Sequence, residues 1–330
     1  MEVDLVYLWC DDGDINWHQK RLQYREDNLD IQACCAGRFV QNDELKYSLR
    51  SVEKYAPWIN HIYIISDQQT PEWLNIAHEK ITMVNHEEII DKRYLPLFNS
   101  AAIETGIPNI KNLKEYFIYM NDDMFFNAPL CEKDFFTGEG KPIWRLTTPK
   151  ICWPPDDKAI ENRLNGKAPT QYETCLLDMH HLAQLYYKKN IPLLFPHHNA
   201  DAYRKSDFLE HNKIFKPIIN HTLSHRFRQF GDWSRVLVCY MGLCLGQGEI
   251  KVIDEYRHNF KAWLKHYLLL EKKRDSVVIS MKNKDYYRKL RRYRPKFFCL
   301  EDGEKVTASD RERGRAFLQE YFSQKSQFEI

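Results

Sequence analysis

Two carboxylates, Asp122 and Asp123, follow directly on Tyr116-Phe117-Ile118-Tyr119-Met120, an aromatic and aliphatic run suited to a buried strand. Open α/β sheets place their ligand chemistry at the C-terminal edge of the strands. Adjacent carboxylates repel unless a cation or a protein donor compensates, so the pair points to a divalent metal beside phosphate. It would equally serve a polar turn or a helix cap. Two further acidic sites end hydrophobic runs: Asp11-Asp12 with Asp14 behind Val3 to Trp9, and Asp67 behind His61 to Ser66. If the strands run parallel, all three converge on one crevice. Asp67 also has a plainer role open to it, as cap of a short helix beginning at Pro71.

A second constellation is basic and imidazole-rich: His197-His198, then Tyr203-Arg204-Lys205-Ser206, then Ser224-His225-Arg226-Phe227-Arg228. Arginine offers a fork of donors that fits phosphate oxygens, and histidine can move a proton near neutral pH. Facing an acidic metal site, such residues suit phosphoryl transfer; on their own they are also what basic surface loops look like. Zinc fits less well, because no Cys or His partner stands at ligand spacing. Neither GxGxxG nor GxxxxGK[ST] occurs, which argues against dinucleotide and P-loop chemistry. His180-His181, inside an otherwise apolar helix, is read as structural.

These groups need a scaffold. Strand-like runs at Val3–Trp9, His61–Ser66, Ile81–Val84 and Tyr116–Met120 alternate with helical patterns at 43–55, 71–74 and 100–105. That alternation predicts an α/β fold with a mostly parallel central sheet. Asn42 or Asp43 is expected to cap the first of these helices. Prolines between 141 and 170 predict loops; helices are expected at Tyr172–Lys188, Trp233–Leu245, Phe260–Lys273 and Ser309–Ser323, the last opening on a Ser309/Glu312 capping box. The expected organisation is an α/β core of residues 1–140 and 191–330 with C-terminal helices, and a loop and helical insertion at 141–190.

Composition narrows the partners. Forty-eight basic and 46 acidic residues leave a net charge of +2, so no polyanion is favoured and no nucleic-acid role is expected. Eight of those cations gather between Lys282 and Lys296 against one acid, Asp285. Such a segment suits phosphate, an anionic membrane surface or nucleic acid, and equally a solvated helix face. Nine scattered cysteines suggest free thiols in a reducing compartment. The Asn220-His221-Thr222 acceptor pattern is read as chance. No leader-like segment opens the chain, and the apolar run Val236–Leu245 is half the length of a membrane span.

Four blocks carry a resemblance: Asp4 through Trp9 to Asp11, Asp14 and Trp17; Arg38-Phe39 and Asn42 to Ser51 through Asn121-Asp122-Asp123; His198 through Arg204 to His225-Arg226-Phe227-Arg228; and Arg294 to Leu300. Together they resemble the Stealth family of sugar-1-phosphate transferases. The resemblance implies transfer of a hexose-1-phosphate from a nucleotide-diphosphate sugar to a glycan hydroxyl in capsule or surface-polysaccharide synthesis, releasing nucleoside monophosphate. It implies His198 as base with His225 as runner-up, Arg204 and Arg228 as diphosphate clamps, and Asp123 in catalysis. Asp11, Asp14, Arg38, Asn42, Arg50, Asn99 and Asn121 would bind the nucleotide side, and Asp122 and Asp123 a divalent cation, Mg2+ or Mn2+. A cytoplasmic enzyme follows, peripheral at the inner face of the membrane through 282–296 and acting on a lipid-linked glycan. Departures stand at Asp12-Gly13 and Ile15, after His198, and at Glu301-Asp302. A conventional glycosyltransferase and a non-catalytic carbohydrate- or anion-binding protein are the alternatives.

Overall fold

The computed structural model describes residues 1–25, 36–148, 171–253, 275–303 and 305–330. The expected helix at 260–273 and most of the proline-rich stretch lie outside these residues. Along the chain run β1 (Val3–Leu8), α1 (Ile15–Gln23), α2 (Glu44–Tyr55), β2 (Ile62–Ser66), β3 (Ile81–Asn85), α3 (His86–Ile89), α4 (Ser100–Glu104), β4 (Tyr116–Asn121), β5 (Met124–Phe126) and β6 (Ile143–Thr147). The second half comprises α5 (Gln171–Tyr187), β7 (Phe195–Pro196), β8 (Asp201–Arg204), α6 (Lys205–Ile214), α7 (Lys216–Leu223), α8 (Val236–Leu245), β9 (Glu249–Val252), β10 (Ser276–Ser280), α9 (Tyr286–Tyr293), β11 (Phe297–Glu301) and α10 (Ala308–Tyr321).

The central sheet has the order β3-β2-β1-β4-β8. Its first four strands are parallel, as the alternating pattern predicts, and β8 joins antiparallel. The chain leaves β1 toward β2 on one side and returns to β4 on the other, so the switch point lies between β1 and β4. Successive side chains point to opposite faces. Leu5, Tyr7, Ile62, Ile64, Ile118 and Met120 face one apolar layer, which α2 closes with Leu45, Leu49 and Val52. Val6, Tyr63, Ile65, Phe117 and Tyr119 face the other. That second layer includes Leu176, Met179 and Ala183 of α5, Trp144 and Leu146 of β6, and most of α8.

A smaller sheet, β10-β11-β5, continues from the end of β4 and is covered by α9 and α10 through Phe125, Phe298, Phe317 and Phe322. A third pairs β7, β6 and β9. Trp144 donates from its indole to the Ala202 carbonyl (2.9 Å), joining that ribbon to β8.

Three local expectations change. Pro71 to Leu74 is a turn that ends in an antiparallel bridge between Leu74 and Glu329, because pairing with the C-terminal segment replaces a helix. Asp43 occupies the cap position of α2 in a left-handed conformation (φ 63°) without a side-chain cap. The capping box of α10 is Thr307/Asp310, two residues earlier than the Ser309/Glu312 spacing suggested.

Candidate active site

The acidic runs do meet at one edge. β1 and β4 are in register, with Leu8 beside Asn121, so their C-terminal loops leave the sheet side by side. Gln41 ties them together: its amide donates to the Cys10 carbonyl (2.6 Å) and to Asp122 Oδ2 (2.9 Å). Burial, then the charge of Asp123, lifts the Asp122 carboxyl to about 7. Glu44 lies beyond it, buried and raised to about 8 by desolvation and by Asp122, while Asn42 hydrogen-bonds both its oxygens (2.5 and 2.7 Å). Neighbouring carboxyls this dry hold their protons to higher pH unless a cation compensates them.

Asp123 meets β11 and the segment before β8. Its Oδ2 stands 3.5 Å from His198 Nε2 and accepts from the Cys299 thiol at 3.2 Å. Its Oδ1 is buried without a hydrogen-bond partner. Among the described residues, Asp123, His198 and Cys299 form the one group of three whose ligating atoms all lie within 4.8 Å. Burial works to lower the His198 pKa, but the charge and hydrogen bond of Asp123 prevail and raise it. Burial pushes the Cys299 thiol up, with Asp123 adding to the effect. As placed, the Cys299 thiol is a donor to Asp123 Oδ2. The orphaned oxygen of Asp123 with neighbouring Asp122 therefore fits a hard, oxygen-seeking cation better than a soft one.

The third part comes from the 224–235 loop. Trp17, Phe39, Phe98 and Phe227 pack together, clasping this loop to the turns after β1 and before α4. His225 Nδ1 meets Asp232 Oδ1 at 2.6 Å, and the other oxygen of Asp232 accepts from Asn99 (2.8 Å) and the Gln229 amide (2.8 Å). Arg228 donates to the Ser100 hydroxyl. Arg235 lies over the Tyr119 ring (4.3 Å), largely shielded from solvent, paired with Asp201 (3.1 Å) and beside Glu104 (3.8 Å). Its charge opposes that of a protonated His198.

Not every residue singled out from sequence arrives here. Arg204 pairs opposite Tyr116 because β8 runs antiparallel to β4, and its guanidinium is forked onto Asp207 (2.8 and 2.7 Å). It lies about 17 Å from Asn121 along the strand at ~3.3 Å per residue. Arg50 binds Glu329 (2.8 and 2.7 Å) and the Phe322 carbonyl (2.6 Å), away from the edge. Asp14 caps α1 through the Asn16 and Trp17 amides, and Asp11 Oδ1 closes its own turn onto the Gly13 amide (2.8 Å). Arg38 is exposed in the short turn 36–38. Asn99 is fully buried and caps α4 through the Ala101 amide. His180 is buried against the Ile191 carbonyl (3.2 Å), a structural histidine as read.

Sequence reasoning passed over Gln41, Glu44, Asp232, Arg235 and Cys299 as site residues. Glu44 and Cys299 sit inside the blocks that carried the resemblance; nothing local marked Asp232 or Arg235. Asp302, at a departure, is forked by Arg311 (2.6 and 3.1 Å) and reaches Asn42 at 3.4 Å.

An α/β sheet with acidic and imidazole groups gathered at its switch point defines the ligand-binding class of doubly wound folds. Residues 38–143 match the model for conserved region 2 of the Stealth proteins. The capsular polysaccharide phosphotransferase LcbA of Neisseria meningitidis is 34% identical over 292 residues, covering 83% of this chain and 75% of its own length. A capsular polysaccharide phosphotransferase of Haemophilus influenzae is 35% identical, covering 70% and 62%. An exopolysaccharide phosphotransferase of Streptomyces coelicolor is 43% identical over 139 residues, and there the chain spans 24% of the relative's length. The chain belongs to the Stealth family. Against the galactosyltransferase LgtC the overlap is a TM-score of 0.42 at 10% identity over 98% of both chains, a distance that says nothing of activity.

Proposed function

We propose that this protein transfers a hexose-1-phosphate from a nucleotide-diphosphate sugar to a hydroxyl of a surface polysaccharide. One observation carries the reading: the acidic edge of β4 and a histidine 77 positions beyond Asn121 meet at Asp123, with His198 at 3.5 Å. The acceptor oxygen attacks the phosphorus that bears the sugar. The bond from that phosphorus to the bridging oxygen breaks, nucleoside monophosphate leaves, and the acceptor proton passes to His198 Nδ1, the ring nitrogen that does not face Asp123. Asp123 orients the imidazole and stabilises it once protonated. Arg228 supplies positive charge for the phosphate oxygens. His225, held by Asp232, is the second candidate base.

Asp122 and Asp123 would hold the divalent cation, Mg2+ or Mn2+, which neutralises diphosphate charge when bound. Asn42 and Asn121 lie at the same edge and suit the nucleotide side. Arg204 and Arg50 stay outside this assignment. No helix among the described residues is long and apolar enough to cross a membrane. A peripheral contact is supported by α9 and its flanks, where Lys282, Lys284, Arg288, Arg291, Arg292 and Arg294 are exposed; a lipid-linked acceptor would bring the active site to that surface.

Incubation with a panel of nucleotide sugars, Mg2+ and an acceptor glycan, followed by mass spectrometry, tests the reading. Nucleoside monophosphate with phosphate retained in the glycan is the expected outcome; nucleoside diphosphate with a phosphate-free glycoside would mean an ordinary glycosyltransferase. His198→Ala is expected to lower turnover by about 100-fold or more while donor affinity, measured by calorimetry, changes little.

A further inference from the structure

A cavity of about 270 Å³ opens beside the ends of β2 and β3, one and two strands from β1 and away from the residues assigned to chemistry. Its walls include Lys20, Asp67, Gln68, Asn85, His86 and Lys92. Three features mark it as a built site. Asp67 directly follows β2, and Lys20 donates to one of its carboxylate oxygens at 2.7 Å. Gln68 adopts a left-handed backbone (φ 60°), uncommon for a residue with a side chain, and its amide is held by Asn85 Oδ1 at 3.2 Å. His86 is 5% exposed, and both its ring nitrogens are without a hydrogen-bond partner. Leaving such groups unsatisfied is costly, and neither the core nor the phosphotransfer machinery uses them.

We infer that this cavity is the nucleoside subsite of the donor, with Asp67 receiving the ribose hydroxyls and His86 forming the wall against the base. The inference rests on the sugar-phosphate transfer reading and extends it to a part of the edge that reading leaves unused. Size agrees: whole-ligand clefts run to ~300–1,000 Å³, so this volume suits a nucleoside while the diphosphate lies outside it. Position agrees as well. The Asp67 strand is two strand spacings from β4, about 10 Å, within the span of an extended nucleoside diphosphate reaching Asp122 and Asp123. A carboxylate accepts from both hydroxyls of a ribose diol, and strand ends at the C-terminal edge of open α/β sheets are where such ligands bind. Burial holds the His86 imidazole neutral, lowered to about 4, so it offers one donor and one acceptor.

The test is calorimetric titration of uridine, cytidine, guanosine and adenosine monophosphates into the full chain, into Asp67→Asn and into His86→Phe. The nucleotide that binds wild type best is expected to bind each variant at least tenfold more weakly, with far-UV dichroism unchanged. Its 2′,3′-dideoxy form is expected to bind wild type weakly and to lose nothing further in Asp67→Asn. Undiminished nucleotide binding in both folded variants would overturn the subsite alone, as would variants whose defect is confined to the KM of the acceptor glycan. Failure of wild type to bind any nucleotide would overturn the donor reading itself. If His86→Phe unfolds, the dideoxy cycle at Asp67 still decides.

Discussion

The Asp123–His198 contact sets two opposing effects on one imidazole. Burial favours the neutral ring and the carboxylate favours the charged one; the carboxylate prevails. A base must be neutral to accept a proton, so the rate is expected to rise with pH through a value above the ordinary histidine range near ~6.5. Asp123→Asn removes the charge and leaves burial, and the acid limb is then expected to move to lower pH as the maximal rate falls. A limb that stays in place would exclude His198 as the titrating base. Linkage has the same origin. With a raised folded pKa, the stabilising contact is complete below the unfolded value and is lost as pH rises through the folded one. Asp123 was legible from sequence because a hydrophobic run ended in acid; its partner was legible only as one of several histidines in basic loops.

At the level of elements, direction matters more than propensity. Arg204 and His198 are six residues apart on one short stretch, and antiparallel pairing of β8 with β4 sends one to each edge of the sheet. Periodicity located β8's neighbours but not its direction, which depends on a partner strand more than 80 positions earlier. Two substitutions test local packing. A Cβ on Gly242 would stand 2.3 Å from the Trp144 ring, so Gly242→Ala is expected to cost about 1–3 kcal/mol in denaturant unfolding. Thr307→Ala is expected to cost about 1 kcal/mol and Ser309→Ala much less, because Thr307 is the residue that caps α10. Equal effects would contradict the cap.

Across the whole molecule, the C-terminal segment is latched to α2. Arg50 forks onto Glu329, whose side chain is 2% exposed. Arg50→Ala strands that carboxylate, with an expected loss of about 3 kcal/mol and no change in donor affinity; weaker donor binding at intact stability would return Arg50 to the site. The Glu44–Asp122 pair has the opposite sign from a salt bridge. Burial raises both carboxyls, with Asp122 adding to the effect on Glu44 and Asp123 to that on Asp122, so stability is greatest where they are protonated and falls as pH rises from the ordinary carboxylate range toward about 8. Glu44→Gln is expected to flatten that decline, gaining thermal midpoint at pH 8 relative to pH 5. An unchanged pH profile would mean that Glu44 does not titrate in this window.

Sequence alone determined the kind of sheet, the strands that carry carboxylates at their ends and the family, because each is written in local order: alternation, periodicity and contiguous blocks. The tertiary structure decided which of those residues meet. It brought His198 and Cys299 to Asp123, turned Arg204 and Arg50 away, and formed the cavity at Asp67 and His86. Those outcomes follow from strand order, direction and register, which arise from backbone pairing between distant segments. No single stretch of sequence specifies such pairing.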